Sequence, residues 1–189
     1  MYVGISDQSV CEVIFMLKEI QVNKTDKKVY CMDEDYHVFA ELPIGTEFYA
    51  GYNDNGEEYS NAEDGIYPLN RVDIDYPDNV TPSYGWGYIN IDERGRALHG
   101  GGANLGHIGA VQPYQSELMP TLGCFRMYNA DVFWLCHQAV LSRNNGIEVV
   151  IHVVSWEDVW MFYSLDLATK KMLFAFLLCL FSWWLYIAW

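Results

Sequence analysis

The sequence predicts a mainly β fold with one helix late in the body and a second, wholly apolar helix at the C-terminus. Aromatic residues make up 16% of the chain, which favours a packed, strand-rich domain. Short segments that alternate apolar and polar residues recur between Ile20 and Ile91, separated by turn-forming residues. Helical periodicity is clear in the body only from Asn129 to Leu141. The length of 189 residues allows one domain with a sizeable core and a short appendage.

The elements follow in order. Ile20–Asn23 alternates, Thr25–Lys28 supplies a turn, and Val29–Met32 continues as a strand, so the body opens on a hairpin. Val38–Gly45 reads as a third strand that ends at a glycine, and Gly51–Asp64 is rich in Asn, Asp, Glu and Gly and reads as a solvated loop. Gly65–Leu69 is a short strand. Residues 73–83, with Pro77 and Pro82 among several acids, read as a second loop. Trp86–Ile91 alternates as a strand, Asp92–Gly95 turns the chain, and Ala97-Leu98 leads into His99. Asn129 or Tyr128 could open the helix, with Asn129 the better N-cap; Asp131 suits the first turn, and Val132, Leu135 and Ala139 form the stripe to be buried. Gly146 ends that segment, and Ile147–Val154 is a β-branched strand.

Charge and cysteine usage remove several function classes. Eleven Lys+Arg against 25 Asp+Glu leave a net charge of -14, a surface that nucleic-acid phosphates and anionic headgroups repel. No nucleic-acid role is expected. The five cysteines are widely spaced with no CxxC pair, which argues against a zinc ribbon, a redox dithiol or a disulfide framework. Cys11, Cys31 and Cys136 read as small buried hydrophobes, and Cys179 sits in an apolar run. No metal site and no cofactor are expected.

Both ends differ from the body. Asp7 and Glu12 interrupt the N-terminus, which lacks the basic and apolar regions of a signal peptide. Met172–Trp189 carries no charge and is almost wholly apolar. As a helix it would span about 27 Å, enough for a thin hydrocarbon core. Trp183, Trp184, Tyr186 and Trp189 suit an interfacial belt, with Lys170 and Lys171 at the inner end. Membrane insertion or contact by this tail is the expectation, against burial as a terminal helix.

The chemistry-bearing stretch runs from His99 to Asp131. A nucleophilic cysteine needs a neighbouring base and positive charge. Cys124 has Arg126 two residues on and a helix N-terminus soon after, and both favour a thiolate. Gly123 permits a tight turn, and backbone N–H groups at Gly123 and Cys124 would suit an oxyanion. On residue types alone, an ordinary strand-to-helix junction explains Gly-Cys-Phe-Arg equally well.

Leu98-His99-Gly100, followed by Thr121, Gly123, Cys124, Arg126, Met127, Asn129 and Asp131, resembles the signature of the L,D-transpeptidase catalytic domain, the YkuD-like family. The opening hairpin and Glu63–Leu69 add to the likeness, which covers roughly residues 18–154. The resemblance implies a β-sandwich-like catalytic domain that acts on peptidoglycan stem peptides through a thioester. The acyl group would then pass to an amine (transpeptidation) or to water (carboxypeptidation). It implies Cys124 as nucleophile, His99 as base, Gly100 in the slot that orients the histidine, and Arg126 as organiser of the site. Gly123 joins this catalytic set, and Tyr67, Thr121 and His107 fall on the substrate side. Leu122 stands where the family has a histidine. His99 precedes Cys124 by 25 residues and His107 by 17; His99 is preferred as base because it ends a strand and is followed by glycine, with His107 the alternative. His37, His137 and His152 read as ordinary strand or helix histidines.

The expected organisation is an N-terminal extension (1–17), a catalytic domain (18–154), a linker (155–171) and the apolar tail (172–189). The expected location is the bacterial cell envelope, periplasmic or membrane-associated, with no N-terminal export signal. A catalytically weak peptidoglycan-binding module, motivated by Leu122, and an envelope-targeted toxin with the same chemistry are the alternatives.

Overall fold

The computed structural model describes residues 15–102 and 110–155. The apolar tail, His107, Cys11 and Cys179 lie outside the described residues. Among the described residues no helix is long and apolar enough to cross a membrane.

The expected hairpin is β1 (Glu19–Asn23) against β2 (Lys28–Met32), antiparallel with Ile20 opposite Cys31 and Val22 opposite Val29. Its turn is built by Asn23, whose Oδ1 accepts the Thr25 and Asp26 N–H groups at 3.0 Å each. β3 (Val38–Pro43) extends the sheet beyond β2, and β4 (Gly65–Pro68) forms the opposite edge. β9 (Val150–Val154) inserts between β4 and β1 and runs parallel to β1. The order β3-β2-β1-β9-β4 therefore joins the first and last strands at the centre.

A second sheet has the order β5-β6-β7-β8, with β5 (Val72–Ile74), β6 (Gly87–Asn90), β7 (Ala97–His99) and β8 (Phe125–Arg126). Ile20, Val22, Cys31, Ile151 and Val153 from the first sheet share one core cluster with Ile89, Leu98 and Phe125 from the second. Helix α1 (Asn129–Asn144) packs on β5, β6 and β7 and adds Val132, Leu135, Cys136 and Ala139 to that cluster. The body is thus mainly β, sandwich-like, with one long helix, as expected.

Five points differ from the sequence reading. The stretch read as a loop from 73 to 83 begins inside β5, whose Asp73 pairs with Tyr88; three half-buried residues are too little pattern to read. β8 is only two residues long and was hidden by the Gly-Cys turn before it. Helix α1 runs three residues past Leu141. Its N-cap is Tyr128, with no side-chain cap, because Asn129 is turned inward and committed elsewhere. The alternation in β1 also does not mark a solvent face, since Glu19, Gln21 and Asn23 are all buried. Glu19 meets His152 on β9 at 3.0 Å.

Candidate active site

The parallel pairing of β7 with β8 sets the site. Leu98 lies opposite Phe125, and both are fully buried in the core. Side chains alternate along a strand, so His99, opposite Arg126, faces the other way. Cys124 precedes Phe125 and shares that outer side with Arg126. Two hydrogen bonds pin Arg126 from the far edge: its N–H donates to Gly45 O at 3.0 Å, and Gly45 N–H donates to Arg126 O at 2.8 Å. His99, Cys124 and Arg126 line one cleft of about 340 Å³ together with Tyr49, Ser83, Tyr84, Met119, Pro120, Thr121 and Leu122.

His99 is buried at 4% exposure, with Tyr84 edge-on at 5.1 Å and Tyr88 at 6.5 Å between ring centres. Its Nδ1 lies 2.9 Å from Gly100 O and 3.1 Å from Arg126 Nη1. A carbonyl only accepts and a guanidinium only donates, so Nδ1 cannot satisfy both. Arg126 Nη1 already donates to Gly100 O and to Ser83 O, the latter at 2.8 Å. We therefore assign the proton to Nδ1, donated to Gly100 O, which leaves Nε2 as the proton acceptor. Burial, and then the Arg126 charge, push the imidazole down to about 3, against the opposing pull of the Gly100 and Ser83 carbonyls. His99 is neutral at physiological pH.

Cys124 is half-buried. Its Sγ lies 3.8 Å from Gly95 O. Burial raises the thiol above its ordinary value, and Asp92 adds to that; the Ala97 backbone, Arg126 and Arg96 pull it down without prevailing. The expected thiolate is therefore not the resting form: positive charge is present, but desolvation outweighs it. Arg126 is 5% exposed; it donates to the Met119, Ser83 and Gly100 carbonyls and lies against the His99 ring, and among the described residues it forms no salt bridge to a carboxylate.

The turn before Cys124 is shaped by Thr121. Its hydroxyl donates to Cys124 O at 2.6 Å and accepts Gly123 N–H at 3.1 Å. This corrects one expectation, since the Gly123 N–H is committed to Thr121 and is not open to an oxyanion; Thr121 itself lines the cleft. Gly123 has φ +110°, and a Cβ there would lie 2.4 Å from Ser60 O, so only glycine fits. Gly100 is equally enclosed, since a Cβ would meet Asn129 Oδ1 at 2.3 Å. Asn129 ties the neighbourhood together: Oδ1 accepts Gly101 N–H at 2.8 Å, Nδ2 donates to Gln112 O at 2.6 Å, and its own N–H donates to Gln115 Oε1 at 2.9 Å.

Solved structures similar to this chain include L,D-transpeptidases. That of Xylanimonas cellulosilytica is 15% identical with a TM-score of 0.49, over 75% of this chain and 62% of its own. That of Stackebrandtia nassauensis is 11% identical with a TM-score of 0.44, over 81% and 62%. Mycobacterium tuberculosis L,D-transpeptidase 1 is 10% identical with a TM-score of 0.41, over 72% and 60%. The chain thus spans about three-fifths of the length of these L,D-transpeptidases. No family model matches the chain, and no curated protein does.

The remaining assignments divide. Tyr67 is on β4 opposite Ile151, donates its hydroxyl to Glu63 O at 2.9 Å, and does not line the cleft. Leu122 does line it and is 58% exposed. Cys31 and Cys136 are buried, as expected. His37 precedes β3, His137 lies on α1 and His152 on β9, all apart from the cleft. Tyr49, Ser83, Tyr84 and Met119 were not singled out from the sequence. They reach the cleft through long-range pairing, such as the bridge of Phe48 to Thr121, which no local pattern announces.

Proposed function

We propose that this chain is a cysteine-dependent acyltransferase of the L,D-transpeptidase type, acting on peptidoglycan stem peptides at the bacterial cell envelope. The observation that carries the reading is the placement of Cys124, His99 and Arg126 on the outer side of β7 and β8, in one cleft, together with the signature those residues spell. Cys124 is the nucleophile and His99, through Nε2, its base. The thiol proton passes to His99 as sulfur bonds the carbonyl carbon of the stem. The C–N bond then breaks, the leaving amine takes that proton, and a thioester remains. An acceptor amine or water attacks the thioester and releases the thiol. Arg126 holds the Gly100 carbonyl that orients His99 and places positive charge where the carbonyl oxygen becomes negative.

The resting pair is thiol and neutral imidazole, so the charge separation forms only with substrate in the cleft. Replacing Cys124 with Ala abolishes turnover of a tetrapeptide stem on this account; retained turnover would refute it. His99→Ala and His107→Ala compared side by side identify the base, with loss at His99 expected.

Exposed Leu122 in the cleft favours one second reading, a peptidoglycan-binding module of weak activity. Retention on purified sacculi with no product released would support that reading over the enzyme.

A further inference from the structure

We propose that the buried Asp92–Arg96 pair is a positioning device for Cys124, fixing the seat of the nucleophile turn and balancing the charge behind it. The proposal rests on reading Cys124 as the nucleophile. It concerns a face of the cysteine that the cleft does not include.

Two segments meet behind Cys124. One is the turn from Asp92 into β7: Gly95 O is 3.8 Å from Sγ, and the Ala97 backbone hydrogen-bonds the thiol. The other is the segment around Ser60, whose carbonyl abuts Gly123 so closely that a Cβ would lie 2.4 Å away. Arg96 joins the two. Its Nε pairs with Asp92 Oδ2 and its N–H donates to Asp92 Oδ1 at 3.2 Å, while Nη1 donates to Asn61 O at 2.7 Å. Asn61 in turn donates through Nδ2 to Thr46 O at 2.6 Å. A rigid guanidinium fork thus sets the spacing between the surfaces on which the nucleophile turn rests.

Stability alone is a poor reason for this pair. Both side chains are only 9% exposed, and desolvating two charges consumes most of their attraction. Their effects on the thiol are opposite in sign, Asp92 raising it and Arg96 lowering it. Among the described residues, the other charged or titratable groups acting on the thiol or sharing its cleft are Arg126, His99, Tyr88, Tyr84 and Tyr49. Removing one member of the pair therefore exposes Cys124 to the other.

The test is iodoacetamide alkylation of Cys124 across pH, followed by peptide mapping, beside kcat and KM on a tetrapeptide stem. Arg96→Gln should slow alkylation at pH 8 about tenfold by moving the profile up, and Asp92→Asn should move it down. Arg96→Gln should also lower kcat by about tenfold or more with little change in KM. Profiles that coincide with wild type, or move in one direction in both variants, overturn the proposal. Should Arg96→Gln not fold, Asp92→Asn decides alone: a downward shift supports the proposal, and an unmoved or upward profile overturns it. Alkylation needs no substrate, so a wild-type protein without turnover would count against the acyltransferase reading and leave these shifts to judge the positioning role.

Discussion

At Cys124 burial and charge act against each other, and burial prevails in the resting protein. At His99 the two act together: desolvation and Arg126 both disfavour the imidazolium. A neutral pair of this kind protects the thiol from ionising without substrate, but it asks more of whatever stabilises the developing oxyanion. Gly123 N–H is already given to Thr121, and Leu122 offers no donor. A donor at position 122 should therefore help. We expect Leu122→His to raise kcat on a stem peptide about tenfold, since the side chain is exposed and a ring fits without repacking. Steady-state kinetics with Leu122→Phe as the size control would check this.

At the scale of elements, the site depends on how the start of α1 is tied to the glycines after β7. Asn129 was expected to cap the helix and instead spends its side chain on Gly101, Gln112 and Ala110. Its removal leaves buried groups unpaired, so Asn129→Ala should cost at least about 2 kcal/mol, read as a lower denaturant midpoint with unchanged slope. Gly123→Ala should destabilise by about 1–3 kcal/mol through contact with Ser60 O and an unfavourable φ, and should lower activity further than the stability loss explains.

Across the whole molecule, much of the fold was legible because local pattern and tertiary role agree. The β1–β2 hairpin and the Val132, Leu135, Ala139 stripe were readable for that reason. The parallel junction of β1 with β9, across nearly the whole domain, has no local signature, and neither do the two-residue β8 and the three-residue β5. In the site, His99, Cys124 and Arg126 were readable because they share a compact motif. Tyr49 and the Asp92–Arg96 pair were not, because they act from segments brought near only by folding. The tail and His107, singled out from the sequence, lie outside the described residues.

The buried neutral His99 also gives the molecule an acid limb. Unfolded, it takes up a proton below its ordinary value of 6.5; folded, it resists until about 3. The unfolded state therefore binds more protons between these values, and stability falls as pH drops through that window. His99→Gln should flatten this dependence in denaturant titrations at pH 7, 5 and 4.

The central claim is that Cys124 forms a thioester. Intact-protein mass after exposure to a carbapenem tests it directly, because the β-lactam carbonyl stands in for the stem carbonyl and the adduct persists. The wild-type chain should gain one carbapenem mass, and Cys124→Ala, folded by circular dichroism, should gain none. An adduct of equal yield on both chains, or on neither, would contradict the account.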